Sequence, residues 1–177
     1  MNDLSDIRKR NLARLVAPKS IAVIGASDDP MRIGGRPIDY SLRHGYKGAI
    51  YPVNPKRDTV QGLKAYPTIS DVPEAVDAAI VALPAPMVAE TIEACAAKGV
   101  GACIVFSSGF SELGSEGEAM QAQLTEIARR TGIRVLGPNC LGAFNASSGW
   151  TGTFSSSPQV DPPEPGPIAI ASQSGAY

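Results

Sequence analysis

The chain has few of the residues on which most side-chain chemistry is built. It has one histidine, His44, and three cysteines, Cys95, Cys103 and Cys140, in 177 residues. No two cysteines have a zinc-ligand spacing, and an odd, widely spaced set makes a poor disulfide framework. A zinc module and a secreted disulfide scaffold are thereby excluded, no metal site is expected, and a cytoplasmic setting is. Net charge is also scarce: 16 Lys and Arg against 17 Asp and Glu leave −1. No broad basic surface invites nucleic acid, and no acidic tail suggests a solvating role. No apolar stretch approaches the roughly 18 residues of a membrane span. The opening lacks the apolar core of a secretory signal, and Asp3 and Asp6 argue against a transit peptide. Neither nucleic acid nor a membrane is an expected partner. Leu4, Ile7, Leu12 and Leu15 fall near helical spacing, so residues 1–15 read as a helix that docks on the domain behind it.

What the chain does have is a repeating alternation. Ser20-Ile-Ala-Val-Ile-Gly-Ala-Ser27 is a short apolar run stopped by Gly25, the pattern of a strand buried on both faces. A glycine-rich loop follows, through Gly34 and Gly35, and then a helical stretch from Pro37 to His44. Strand, glycine turn and helix together present backbone N–H groups and a helix N-terminus to a phosphate. Gly25 is expected to bring the backbone so close to a diphosphate that no Cβ fits there. Further strands read at Ala49–Val53, with Pro52 suggesting its end or an edge position, Asp77–Leu83, Ala102–Phe106 and Ile133–Leu136. Val60–Tyr66 reads as an irregular strand. Helices read at Met87–Lys98 and Glu116–Thr131, stopped by Gly99 and Gly132. Strands alternating with helices imply βαβ units: a Rossmann-like parallel sheet with helices on both faces, spanning residues 16–145. Ser, Gly, Thr and Pro dominate residues 146–166, which read as a linker. Gly166–Ala171 restarts the strand pattern, so residues 167–177 read as the first strand and turn of a second domain.

Ligands of such sheets sit beyond the carboxyl ends of the strands. An NAD site needs Gly-x-Gly-x-x-Gly and an acid at the end of the second strand. Here Ser27 and Pro30 stand where the next two glycines belong, and the second strand runs into Asn54-Pro-Lys-Arg57. A basic pair there suits a ribose phosphate, which both NADP and coenzyme A carry. The Pro84-Ala-Pro86 corner offers a flat apolar wall for adenine and does not separate the two, but the missing glycine pattern lowers NADP. His44 falls at a helix end, where the dipole favours a cation, and needs no catalytic role to explain it. Cys140 has no base nearby in sequence and reads as a small packing residue.

Ile21-Ala-Val-Ile-Gly-Ala-Ser27, Tyr51-Pro-Val-Asn-Pro-Lys56, Val81-Ala-Leu-Pro-Ala-Pro86 and Gly137-Pro-Asn-Cys-Leu-Gly142 occur in an order and spacing that resemble one family. It is the N-terminal CoA-binding domain of NDP-forming acyl-CoA synthetases, the acetate–CoA ligase (ADP-forming) type, related to the alpha subunit of succinyl-CoA synthetase. Gly166–Gly175 resembles the opening of that family's next, flavodoxin-like domain. The resemblance implies that Gly25, Ala26, Ser27 and the loop to Gly34 hold the CoA diphosphate, with Arg32 as a phosphate contact. Val53, Asn54 and Lys56 would flank the adenosine and its 3′-phosphate. Pro84 and Pro86 would line the adenine or pantetheine, and Ser107, Ser108 and Gly109 the pantetheine arm, with Pro138 and Asn139 near the thiol. Ser172, Gln173, Ser174 and Gly175 would begin a phosphate site of the next domain. The implied reaction joins a small carboxylic acid to CoA at the expense of ATP or another NTP, with Mg. It passes through a phosphohistidine in the second domain and uses an ATP-grasp domain, and this chain matches neither. No catalytic residue is therefore expected here, only CoA binding. A CoA- or acyl-CoA-sensing module, for example of a lysine acetyltransferase, and an NADP-dependent oxidoreductase are the alternatives.

Overall fold

The computed structural model describes residues 4–159 and 164–172. The amino-terminal helix α1 (Leu4–Val16) leads into β1 (Ser20–Ile24), which ends at Gly25. The glycine loop then feeds α2 (Arg36–Arg43), with Pro37 in its first turn, and β2 follows (Ala49–Val53). Val60–Tyr66, expected as an irregular strand, contributes instead to a small hairpin, β3 (Thr59–Val60) and β4 (Leu63–Lys64). β5 (Ala78–Val81), α3 (Val88–Lys98), β6 (Ala102–Val105), α4 (Ser115–Thr131) and β7 (Arg134–Leu136) complete the repeat. Gly99 and Gly132 both adopt the left-handed conformation that ends a helix.

β1, β2, β5, β6 and β7 form one parallel sheet in the order β2-β1-β5-β6-β7. Pro52 lies on β2, at the sheet's edge, where its missing N–H costs no ladder bond. Side chains alternate across the sheet with the period of two that a strand imposes. Ala22, Ile24, Ala79, Val81, Cys103 and Val105 pack with Val88 and Ile92 of α3 and Leu124 and Ile127 of α4. Ile21, Val23, Ile80 and Ile104 face the other way, toward Ile38 of α2, Tyr46 and Trp150. Both faces are thus covered, and the continuous apolar runs of the inner strands follow from it.

The docking helix α1 packs Leu15 against the core and is also held by polar groups. Asn11 is buried and donates to the Gly132 carbonyl (3.0 Å), and Arg14 pairs with Asp77 (3.0 Å) and donates to the Gly99 carbonyl (3.1 Å). Leu4 and Leu12 of its expected apolar stripe remain largely exposed.

The stretch expected to be a linker departs most from expectation. β8 (Gly142–Asn145), just before it, and β9 (Trp150–Thr153), within it, form an antiparallel hairpin, and β9 lies against α2. Trp150 is fully buried. The Ser/Thr composition that suggested solvent is used for internal bonds: Thr153 Oγ1 donates to the Leu141 carbonyl (2.6 Å) and Ser41 Oγ to the Thr151 carbonyl (3.4 Å). Residues 167–177, expected to be the first strand and turn of a second domain, are described only as far as residue 172. They form no strand among the described residues, and Ile168 and Ile170 are exposed. A strand needs a hydrogen-bonded neighbour, and none is present among the described residues.

Candidate functional site

The sheet order places the topological switch between β1 and β5: the chain leaves β1 for β2 on one side, then crosses to β5 on the other. Open α/β sheets bind ligands in the crevice at this point. A cleft of about 870 Å³ lies here, lined by residues 25–29 and 31–34 of the glycine loop, by Asn54 and Arg57 after β2, and by Ala82 after β5.

Gly25 has φ +83°, and a Cβ there would stand 2.4 Å from the Ala82 carbonyl oxygen. This revises the expectation that a diphosphate excludes its side chain: the neighbouring strand end does so first. Gly34 is equally tight, because its Cβ would meet the Gly25 carbonyl oxygen at 2.1 Å. The two glycines let the loop fold flat on itself. The Val53 carbonyl accepts from the Gly25 and Ala26 N–H groups (3.1 and 3.2 Å), so buried Val53 contributes its backbone rather than its side chain. Within the loop, Ser27 N–H donates to the Gly34 carbonyl (3.3 Å) and Asp29 N–H to Ser27 Oγ (3.2 Å). The Arg32 and Gly35 amides are also bonded within it. The N–H groups of Asp28, Ile33 and Gly34 have no acceptor among the described residues. α2 begins two residues after Gly34. Free amides beside a helix start suit the oxygens of an anion.

The cations come with counter-charges that the sequence reading did not weigh. Arg32 lies 3.7 Å from Asp29, and Arg57 3.9 Å from Asp28. Both pairs are exposed and weak. Lys56 is exposed and in no ion pair among the described residues. Asn54 lines the cleft, but protein partners take its amide: Nδ2 donates to the Ala26 carbonyl (2.8 Å), and Oδ1 accepts from the Lys56 N–H (2.8 Å).

At the other strand ends, Pro84 and Pro86 are exposed. Ser107 Oγ donates to the Leu83 carbonyl, Ser108 is exposed, and Gly109 lies close to Ala85. Asn139 has φ +53° and donates its N–H to the Ser107 carbonyl (2.9 Å), so the loops after β6 and β7 are joined next to Pro138. The expected pantetheine residues therefore form one connected rim, although none of them lines the cleft described above.

Cys140 is a packing residue, its thiol 3.5 Å from the Val105 and Leu136 carbonyls and pushed up in pKa by burial. His44 ends α2, with Nδ1 3.0 Å from Thr151 Oγ1 and Nε2 3.2 Å from the Pro158 carbonyl. It fastens the carboxyl-terminal hairpin to α2 and is not part of the cleft. Among the described residues, no group of three or more His, Cys, Asp or Glu could hold a metal, and no helix is long and apolar enough to cross a membrane. Ser172 is exposed; Gln173, Ser174 and Gly175 lie outside the described residues.

One residue escaped the sequence reading. Gln61, at the tip of the β3–β4 hairpin, donates Nε2 to the Ser27 carbonyl (3.0 Å) and the Gly35 carbonyl (2.9 Å). Its backbone N–H donates to Asp28 Oδ1 (2.7 Å). The available signal was Gln61-Gly62 between two short apolar segments, a two-residue hairpin turn.

A doubly wound sheet with an anion-suited glycine loop at its switch point defines a nucleotide-type binding domain. The family model described as CoA binding domain matches residues 19–146, and the chain belongs to that family. It is 41% identical over 170 residues to the alpha subunit of acetate–CoA ligase (ADP-forming) I of Pyrococcus furiosus, covering 94% of this chain and 36% of that one. It is 42% identical over 168 residues to a trans-feruloyl-CoA synthase of an unknown prokaryotic organism, covering 94% of this chain and 24% of that protein. Among solved structures it is similar to the dinucleotide forming acetyl-coenzyme A synthetase 1 of Ca. Korarchaeum cryptofilum in complex with phosphate and ADP. The TM-score is 0.76 at 42% identity, over 87% of this chain and 31% of that one. The chain thus spans about a quarter to a third of the length of these relatives.

Proposed function

We propose that this chain is the CoA-binding portion of an NDP-forming acyl-CoA synthetase, which joins a small carboxylic acid to CoA as an NTP is split to NDP and phosphate. The observation that carries the reading is the glycine loop, in which the Asp28, Ile33 and Gly34 amides have no acceptor among the described residues, lining one cleft with Asn54 and Arg57. The family match and the ligase relatives support it.

In this reading the amides of Asp28, Ile33 and Gly34 and the start of α2 receive the diphosphate. Arg32 turns from Asp29 to a phosphate oxygen, a swap that weak exposed pairs permit. Lys56 reads the 3′-phosphate as a mobile point charge. The rim of Pro84, Pro86, Ser107, Ser108, Gly109, Pro138 and Asn139 guides the pantetheine arm. The chain orients the thiol, and the phosphoryl steps, with NTP and Mg, belong to phosphohistidine and ATP-grasp domains. The protein works in the cytoplasm.

The pure chain is expected to bind CoA in a calorimeter, and to form no ADP or acyl-CoA when given ATP, Mg, acetate and CoA. Steady turnover by the chain, unaffected by His44→Ala, would overturn the assignment of chemistry to other domains.

A further inference from the structure

We infer that Gln61 is a positioning residue that staples the two ends of the glycine loop and so holds the loop amides ready for a diphosphate. The inference rests on the CoA reading for its ligand, but on the hairpin's own geometry for its cause.

Gln61 has φ +49° and is followed by Gly62 at φ +78°. Two successive left-handed residues make the tight hairpin turn whose twist suits β-strands, and its first position prefers Asn, Asp or Gly. A glutamine there is out of place, and a side chain held in that region is strained. What the glutamine does at this cost is visible. One methylene longer than asparagine, it reaches across from the hairpin and donates both amide hydrogens to carbonyls on either side of the loop, Ser27 before it and Gly35 after it. Both partners are acceptors only, so the amide nitrogen must face them. The Gln61 backbone N–H also binds Asp28 Oδ1.

The hairpin that presents Gln61 is itself anchored. Tyr66, just beyond β4, bridges to Val53, donates its N–H to the Pro52 carbonyl (2.9 Å) and accepts from the Asn54 N–H (2.9 Å). Val60 is fully buried. The staple therefore runs from the sheet edge, through the hairpin, to the loop. With the Ser27 and Gly35 carbonyls turned to Gln61, the lone pairs of those two residues are kept off an incoming anion. The same bonds hold the acceptor-free amides of Asp28, Ile33 and Gly34 in a fixed loop. Preorganised donors bind more tightly than donors that must first be ordered.

Gln61→Asn keeps a residue suited to the left-handed turn and removes the reach. Gln61→Gly relieves the strain altogether and serves if the first variant folds poorly. Two measurements judge them. Hydrogen exchange of the ligand-free protein reads the loop, where the Ser27 amide, bonded to Gly34, is expected to exchange about tenfold faster in the variant. Calorimetry reads the ligand. Losing two hydrogen bonds that hold the loop is expected to weaken CoA and dephospho-CoA by a similar factor, about tenfold, with no change for pantetheine, which lacks the diphosphate. A purely structural role would lower the melting temperature and weaken all three together, and that result overturns the inference. So does an unchanged CoA affinity, a loss confined to CoA, or unchanged loop exchange. If the wild-type chain binds no CoA, the CoA reading fails, and the exchange result alone then decides whether the staple stands.

Discussion

Gly25, Lys56 and Gln61 carry the argument at the scale of single residues, and each acts for a different physical reason. Gly25 is a matter of space inside the protein. Its Cβ would meet the Ala82 carbonyl, whereas Gly99, at a similar φ of +85°, has nothing within 4 Å of that position. Both Gly→Ala changes incur conformational strain of roughly 1–3 kcal/mol, and Gly25→Ala adds the clash. Urea denaturation is expected to show a clearly larger loss for Gly25→Ala, and equal losses would mean that the β1–β5 junction yields freely. Lys56 is a matter of charge. Its side chain is exposed and in no ion pair among the described residues, so truncating it costs the fold little. Lys56→Ala is expected to weaken CoA by about 1.5–3 kcal/mol, the value of a charge-assisted hydrogen bond, and to leave dephospho-CoA almost unchanged. Equal weakening of the two ligands would remove Lys56 from the 3′-phosphate. That Gly25 and Asn54 lie at the switch-point cleft could be read from sequence, because a strand end and a glycine form a local pattern. Gln61 could not, since its bonds to Ser27 and Gly35 span 34 and 26 residues and depend on where a hairpin points.

At the scale of elements, the parallel strands declared themselves because burial on both faces leaves only apolar residues in them. Ala49–Val53 of β2 was legible to its exact ends, and the stops of α3 and α4 at Gly99 and Gly132 follow from the left-handed cap. The β8–β9 hairpin was not legible. Its glycines, serines and threonines resemble a loop in composition, and its only large apolar anchor is Trp150, fully buried against the α2 side of the sheet. Gly149 has φ +70°, and a Cβ there would stand 2.4 Å from the His44 carbonyl oxygen, so the hairpin presses on the end of α2. The indole N–H of Trp150 has no acceptor among the described residues. Its contribution is therefore volume and apolar area rather than a hydrogen bond. Trp150→Ala is expected to cost about 3–5 kcal/mol in a denaturation experiment, the range for emptying a large aromatic site, and Trp150→Phe distinctly less. Equal losses for the two would mean that the N–H matters after all. A near-zero loss for alanine would make the hairpin the linker that its composition suggests.

At the scale of the whole molecule, the fold brings the turn after β1, Asn54 and Arg57 after β2 and Ala82 after β5 to one switch point. It keeps the single histidine away, as the fastener of the hairpin. His44 and the three cysteines are absent from the lining of that cleft, whose acids, Asp28 and Asp29, face Arg57 and Arg32. The segment after residue 163 contributes no packed element among the residues described, and Ile168 and Ile170 stand in solvent. A strand pattern alone does not make a strand, because the hydrogen-bonding partner is a property of the assembled sheet. The proposed function requires the cleft to take coenzyme A and not a nicotinamide dinucleotide. Both ligands carry a diphosphate and a ribose phosphate, so general anion affinity does not separate them. Side-by-side calorimetry of the pure chain with CoA and with NADPH does. Saturable binding of CoA and none of NADPH is expected at the same concentrations; tight binding of NADPH with none of CoA would contradict the proposed function.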